Sequence, residues 1–179
     1  VFKGRYRVIK PFLQALVALR SGDDEAVGSA IDGLNGIAEL DGGRLAHSFV
    51  GTLRALEQAG EGNYESALDF IDTAELRESW GRMTKSQVYD QTLSRYVKSE
   101  ILFELGRYQE SMRYSESLTV SRDFWGLAYL GPVRLRRAQT YALMGDRESA
   151  VAEYRRLLDL WSECDDDLVP AREEASVEM

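Results

Sequence analysis

Apolar positions recur at spacings of three and four along almost the whole chain, as in Phe12, Ala15, Leu16 and Leu19, or Leu135, Ala138, Tyr141 and Ala142. Such spacing places side chains on one face of an α-helix. Each run closes at a glycine, Gly22, Gly62, Gly106 or Gly145, and a polar turn then leads into a second run of the same period. Ala67, Phe70, Ile71 and Ala74 form one such second run, and Ala150, Tyr154, Leu157 and Leu158 another. The pattern predicts helices near 8–20, 24–39, 43–60, 63–77, 84–105, 107–120, 131–144 and 147–162, with a ninth, acidic segment near 166–178. No alternating run of β-branched residues stands between turn clusters, so no strand is expected.

The glycines are separated by 40, 44 and 39 residues, and their surroundings repeat with them. Seven residues before each stands a small residue, Ala15, Ala55, Ser99 or Ala138, and five residues after each stands Val27, Ala67, Ser111 or Ala150. The glycine falls where a helix C-terminus needs a left-handed residue, and Asp23, Asn63 and Asp146 directly after it suit the N-cap of the next helix. Two helices joined by so short a turn pack antiparallel, and small residues two turns away let them approach. Repeats of this length cannot bury their own apolar face, so they stack on one another and present a surface. A single repeat domain over 1–179 is expected, with units at about 8–39, 43–77, 84–120 and 131–162 and an acidic cap at 163–179. The loops around Ser79–Lys85 and Ser121–Gly131 each carry a tryptophan, Trp80 or Trp125, read as packing between units, with a partner contact as the alternative.

These residues resemble tetratricopeptide repeats, whose units carry a small residue in helix A, a Gly-x-Tyr turn, and a small residue in helix B followed by an aromatic. Gly62-Asn63-Tyr64 and Gly106-Arg107-Tyr108 match the turn, and Ala150 with Tyr154 matches helix B. The resemblance is closest in the last third, which is similar to the C-terminal repeats of large bacterial proteins that join them to kinase or DNA-binding regulatory domains. It departs in a period near 40, in the missing unit-ending proline, and in a weak first unit with Asp24 and Val27 at the tyrosine and small positions. The resemblance implies a right-handed α-α superhelix and a non-catalytic protein-interaction scaffold, the partner-binding or sensory module of a bacterial regulatory protein.

In that family helix A supplies the inner surface. The corresponding positions here include Phe12, Leu16, Phe49, Thr52, Leu56, Tyr96, Glu100, Phe103, Leu135 and Gln139, none of them lysine, arginine or asparagine. A clamp for a peptide carboxylate is therefore not expected; an apolar or amphipathic helix suits the set better. The competing reading has about half of these residues filling the core between helices.

Composition narrows the functions further. A formal net charge of −8 argues against nucleic acid, which demands a basic face. The charge is uneven: residues 1–20 carry five bases and no acid, whereas residues 159–179 carry eight acids and one base. Head-to-tail self-association is the alternative function this suggests, against two merely solvated ends. Cys164 is the only cysteine and is expected to be an inert structural thiol, and His47, the only histidine, a partly buried structural one. No phosphate loop, metal site, cofactor or catalytic grouping is expected, because Gly28, Gly33 and Gly36 lack a following Lys-Ser or Lys-Thr and the acidic pairs lack calcium-loop spacing. No stretch is long and apolar enough to cross a membrane. The chain lacks an initiator Met and reads as a fragment of a larger protein, in the cytoplasm or, alternatively, on the periplasmic side of a membrane-anchored parent.

Overall fold

Four glycines adopt a positive φ, between 71° and 80°, and each closes one helix while the next residue opens another. They are Gly22, Gly62, Gly106 and Gly145, the repeating glycines of the sequence. The same hydrogen bonds recur at all four. The glycine N–H donates three residues back, to the carbonyl of Leu19, Ala59, Phe103 or Ala142. The following N–H donates five residues back, to Ala18, Gln58, Leu102 or Tyr141, at 2.8 to 3.0 Å. This pair defines a Schellman ending. The residue after the glycine then accepts the first bond of the next helix, from Val27, Ala67, Ser111 or Ala150. The small-residue position five after the glycine is therefore the fourth residue of the second helix, where the two helices diverge from the turn.

The computed structural model describes residues 3–40, 43–75, 91–120 and 124–177, and among these every regular element is helical. The α-helices are α1 (Lys3–Ser21), α2 (Asp24–Leu40), α3 (Arg44–Gly60), α4 (Tyr64–Thr73), α5 (Thr92–Glu104), α6 (Tyr108–Val120), α7 (Leu130–Leu143), α8 (Arg147–Leu160) and α9 (Val169–Val177). Boundaries expected from the sequence differ mainly at α1, which starts at Lys3 rather than at residue 8 and contains Pro11. A proline within a helix removes one backbone bond, and the flanking turns here remain helical. The expected loop before α7 is in part a 3-10 helix, Phe124–Tyr129, and the C-terminal segment is a 3-10 turn, Asp166–Leu168, leading into α9. The helical positions expected at 76–77 and 84–90 lie outside the described residues, as do Trp80 and the Trp125 ring.

The helices group into two compact units, residues 1–101 and 102–179. In the first, α1 packs on α2, α2 on α3 and α3 on α4. Its core holds Val8, Phe12, Ala15, Ala18, Val27, Ile31, Leu34, Ala46, Phe49 and Leu53. Phe12 and Phe49 stack with ring centroids 3.9 Å apart and planes 9° from parallel. α3 and α4 approach so closely that a Cβ on Gly51 would lie 2.9 Å from both the Ala74 Cβ and the Phe70 carbonyl. The Ser48 hydroxyl donates to the Ala74 carbonyl across the same contact.

In the second unit α7 and α8 form the closest pair, with α6 against α7 and α9 against α8. Ala138, Tyr154, Leu157, Trp161 and Ala175 form its apolar centre. Gly131 lies against Trp161, where a Cβ would fall 2.8 Å from the indole. Glu153, only 2% exposed, is held by three arginines, Arg134 at 3.0 Å, Arg137 at 3.2 Å and Arg156 at 2.9 Å. Arg137 also donates to the Thr119 hydroxyl, so this one carboxylate ties α6, α7 and α8 together. A buried acid is tolerated because each oxygen has a charged donor.

All eight small-residue positions of the repeat are buried: Ala15, Ala55, Ala67, Ser99, Ser111, Ala138 and Ala150, with Val27 in the first unit. Of the three expected N-caps, two act as such. Asp23 accepts from the Ala26 N–H at 3.0 Å, and Asp146 from the Ser149 N–H at 3.1 Å. The bonds from Ser149 hold the Asp146 carboxyl below its ordinary range, so this cap is intact at neutral pH and is lost as pH falls through that lowered value. Asn63 does not cap with its side chain. Its amide nitrogen is drawn back across the turn to Glu61 at 3.0 Å and Gln58 at 3.4 Å, which offer carboxylate and amide oxygens that Asp23 and Asp146 have no N–H to use.

Two glycines separate the effects of helix propensity and of close packing. Gly33 is exposed in α2, where an added Cβ would meet nothing within 4 Å, and its replacement by alanine gains about 0.4–1 kcal/mol. Gly131→Ala loses about 1–3 kcal/mol by forcing Trp161 aside. Urea unfolding midpoints of the two variants check this difference of sign. Glu153→Gln loses about 1.5–3 kcal/mol, read by the same titration, because hydrogen bonds to a charged group are exchanged for weaker ones.

Candidate functional site

A cleft of about 310 Å³ opens in the second unit. Phe103, at the C-terminal end of α5, forms one wall, and the face of α7 that carries Leu135, Gln139 and Ala142 forms another. Tyr154 from α8 and Ala175 from α9 complete the lining. Helix spacing explains the α7 wall, since residues 135, 139 and 142 fall within one face. Leu143, 58% exposed, stands at the cleft, and Met144 next to it is also exposed. Tyr154, nearly fully buried, connects the cleft to the apolar centre of the unit.

Two polar groups break the apolar lining. The Arg136 guanidinium lies 3.9 Å from the centroid of the Phe103 ring and 3.7 Å from the Glu104 carboxylate. Tyr108 packs against the same phenylalanine, with ring centroids 5.6 Å apart and planes tilted by 56°. Phe103 thus contacts both a turn tyrosine and an arginine, and the cation-π contact fixes two side chains at the cleft. Gln139, half-buried, supplies an amide with no hydrogen-bond partner among the described residues.

Of the eight groove positions expected on helix A from Phe49 to Gln139, Phe103, Leu135 and Gln139 meet in this cleft. Phe49 and Thr52 do not belong to a surface. Phe49 is stacked against Phe12 in the core of the first unit, and Thr52 is 1% exposed, its hydroxyl bonded to Ser48 and to Ser94 at 2.9 Å. Both stand on the face of α3 that also buries Ala46, Leu53 and Ala55, and for a helix covered on two sides that face is core. Leu56, Tyr96 and Glu100 are half-buried in the first unit. Phe12 is likewise core and Leu16 half-buried against it.

Ala142 and Tyr154, apolar-face positions of their helices, also line the cleft, as do Arg136, Leu143 and Ala175, which no apolar spacing in the sequence marks for it. Arg136 stands in a basic run with Arg134 and Arg137, but the helix turns by about 100° per residue. It therefore sends Arg134 and Arg137 to Glu153 and Arg136 to Phe103. Arg136, which is not among the ten inward positions counted from the sequence, adds a cation to the cleft lining. Ala175 reaches it from the terminal helix, and no spacing in the sequence points there. His47 is exposed rather than partly buried, since α3 buries the neighbouring Ala46 and Ser48 and turns residue 47 outward. Cys164 is half-buried against the core around Trp161. Among the described residues no three of His, Cys, Asp and Glu gather as metal ligands, and no helix is long and apolar enough to cross a membrane.

A family model described as tetratricopeptide repeat matches residues 132–160, which span most of α7, the Gly145 turn and α8. Among curated proteins nothing matches the chain, and among solved structures nothing matches it either. Repeats of this family generally mediate contacts between proteins, and their all-helical fold is typically a non-catalytic scaffold. The matched hairpin supplies most of the cleft, and its Schellman turn recurs at three further glycines with buried residues at the same offsets; the chain carries a tetratricopeptide repeat at residues 132–160.

Proposed function

We propose that the chain is a protein-interaction module without catalytic activity, the partner-binding or sensory part of a bacterial regulatory protein acting in the cytoplasm. Its ligand is a peptide or helix that inserts an apolar side chain into the cleft of the second unit. The observation that carries this reading is the apolar cleft itself, flanked by the Gln139 amide and by Arg136. An aliphatic or aromatic anchor fills the space between Phe103, Leu135 and Ala142. Gln139 is placed to bond the ligand backbone, and Arg136 favours a ligand with an acidic residue one helical turn from the anchor. Nucleic acid is a poor candidate, since the chain carries a net charge of −8 and only one arginine lines the cleft. In the first unit Leu56, Tyr96 and Glu100 are the half-buried positions assigned to partner contact.

Panning a displayed library of helical peptides on the chain tests the reading. Enriched sequences are expected to share one large apolar anchor with an acid three or four positions away. Their affinity, measured by fluorescence anisotropy, should fall at least about tenfold, or about 1.4 kcal/mol, on Leu143→Asp, a change at an exposed position that leaves helicity intact. Peptides without a common anchor, or affinities that ignore Leu143→Asp, would refute the cleft as the binding site.

A further inference from the structure

The first helix turns an apolar stripe to solvent. Leu13 is 54% exposed and Val17 70% exposed, whereas Val8, Phe12, Ala15 and Ala18 on the opposite side are core. At about 100° per residue, Lys10, Leu13, Val17 and Arg20 fall within an arc of roughly 80°. All four are exposed, so the stripe is two apolar side chains bracketed along the helix by two bases. Arg7, also exposed, lies at its edge, and no acid occurs before Asp23.

The opposite end of the chain offers the complement. Leu160 is 45% exposed and Leu168 38% exposed, and the exposed acids Asp159, Glu163, Asp165, Asp166 and Asp167 stand between and beside them. Apolar side chains left in water at both ends, one pair set among bases and the other among acids, match in both terms that drive association. Copies with a net charge of −8 repel on average, so only contact between the oppositely charged ends is favoured.

We propose that the Lys10–Leu13–Val17–Arg20 face of α1 docks on the acidic C-terminal end of a second copy, around Leu160 and Leu168. The contact is heterologous, using a different patch on each copy. It is independent of the cleft in the second unit. The apolar side chains supply the buried area, and the charges set orientation and rate.

Sedimentation velocity over a range of concentrations, at low salt and at about 0.5 M salt, tests the proposal. The wild-type chain is expected to associate reversibly at low salt and to dissociate at high salt. Val17→Glu removes the low-salt association, and so does either of two charge reversals, Lys10→Glu with Arg20→Glu or the triple change Asp165→Lys, Asp166→Lys and Asp167→Lys. Circular dichroism should show unchanged helicity in all three, since every altered side chain is exposed. Mixing the two reversed proteins restores association, because the acidic α1 of one meets the basic end of the other. A wild type that is monomeric at every concentration and salt overturns the proposal. So does association that survives Val17→Glu, or a mixture of the reversed proteins that stays monomeric.

Discussion

The fold depends on a backbone conformation that only glycine adopts without strain. At Gly22, Gly62, Gly106 and Gly145 the chain passes through the left-handed region, and that one residue lets two backbone N–H groups return to the closing helix. The next residue has its N–H bound backward and its carbonyl bound forward, so each turn wastes no residue. Such a short connection leaves the two helices no choice but to run antiparallel in contact, and it fixes which residues meet first. The burial of Ala138 and Ala150, and of their counterparts at the other turns, is a consequence of the turn rather than a separate feature.

Once the turn is fixed, the second unit organises around two kinds of contact. Trp161 packs against Gly131 and closes the far end of the α7 and α8 pair. Glu153 gathers Arg134, Arg137 and Arg156, and through Arg137 reaches Thr119 on α6. These commitments leave Arg136 and Gln139 on the remaining face of α7, and they are the polar groups of the cleft. The cleft is thus what remains after the helix has satisfied its neighbours on two sides.

The helices, the turns and the buried small residues are legible in the sequence because each rests on local spacing. Glycine at the C-terminus and apolar residues at three and four are properties of a few adjacent residues. The site is legible only in part. Phe103, Leu135 and Gln139 follow from counting back along helix A, but the same count selects Phe49 and Thr52, which a second layer of helix covers. Arg136 is hidden in a basic run because composition does not say which of three neighbouring arginines a buried glutamate will claim. Asn63 departs from the expected cap because its donor group prefers Glu61, a competitor present at that turn and absent at the others. Ala175 belongs to the cleft through tertiary packing alone.

If left-handed backbone at the repeating glycines holds the hairpins, replacing Gly145 with each enantiomer of alanine gives opposite results. Gly145 has φ near 80° and open space where a Cβ would stand, so chirality is the only variable. By semisynthesis, L-alanine there is expected to destabilise by about 1–2 kcal/mol in a urea titration, and D-alanine to leave stability unchanged or raise it. Equal losses from both enantiomers, or none from L-alanine, would contradict a fold that rests on this turn.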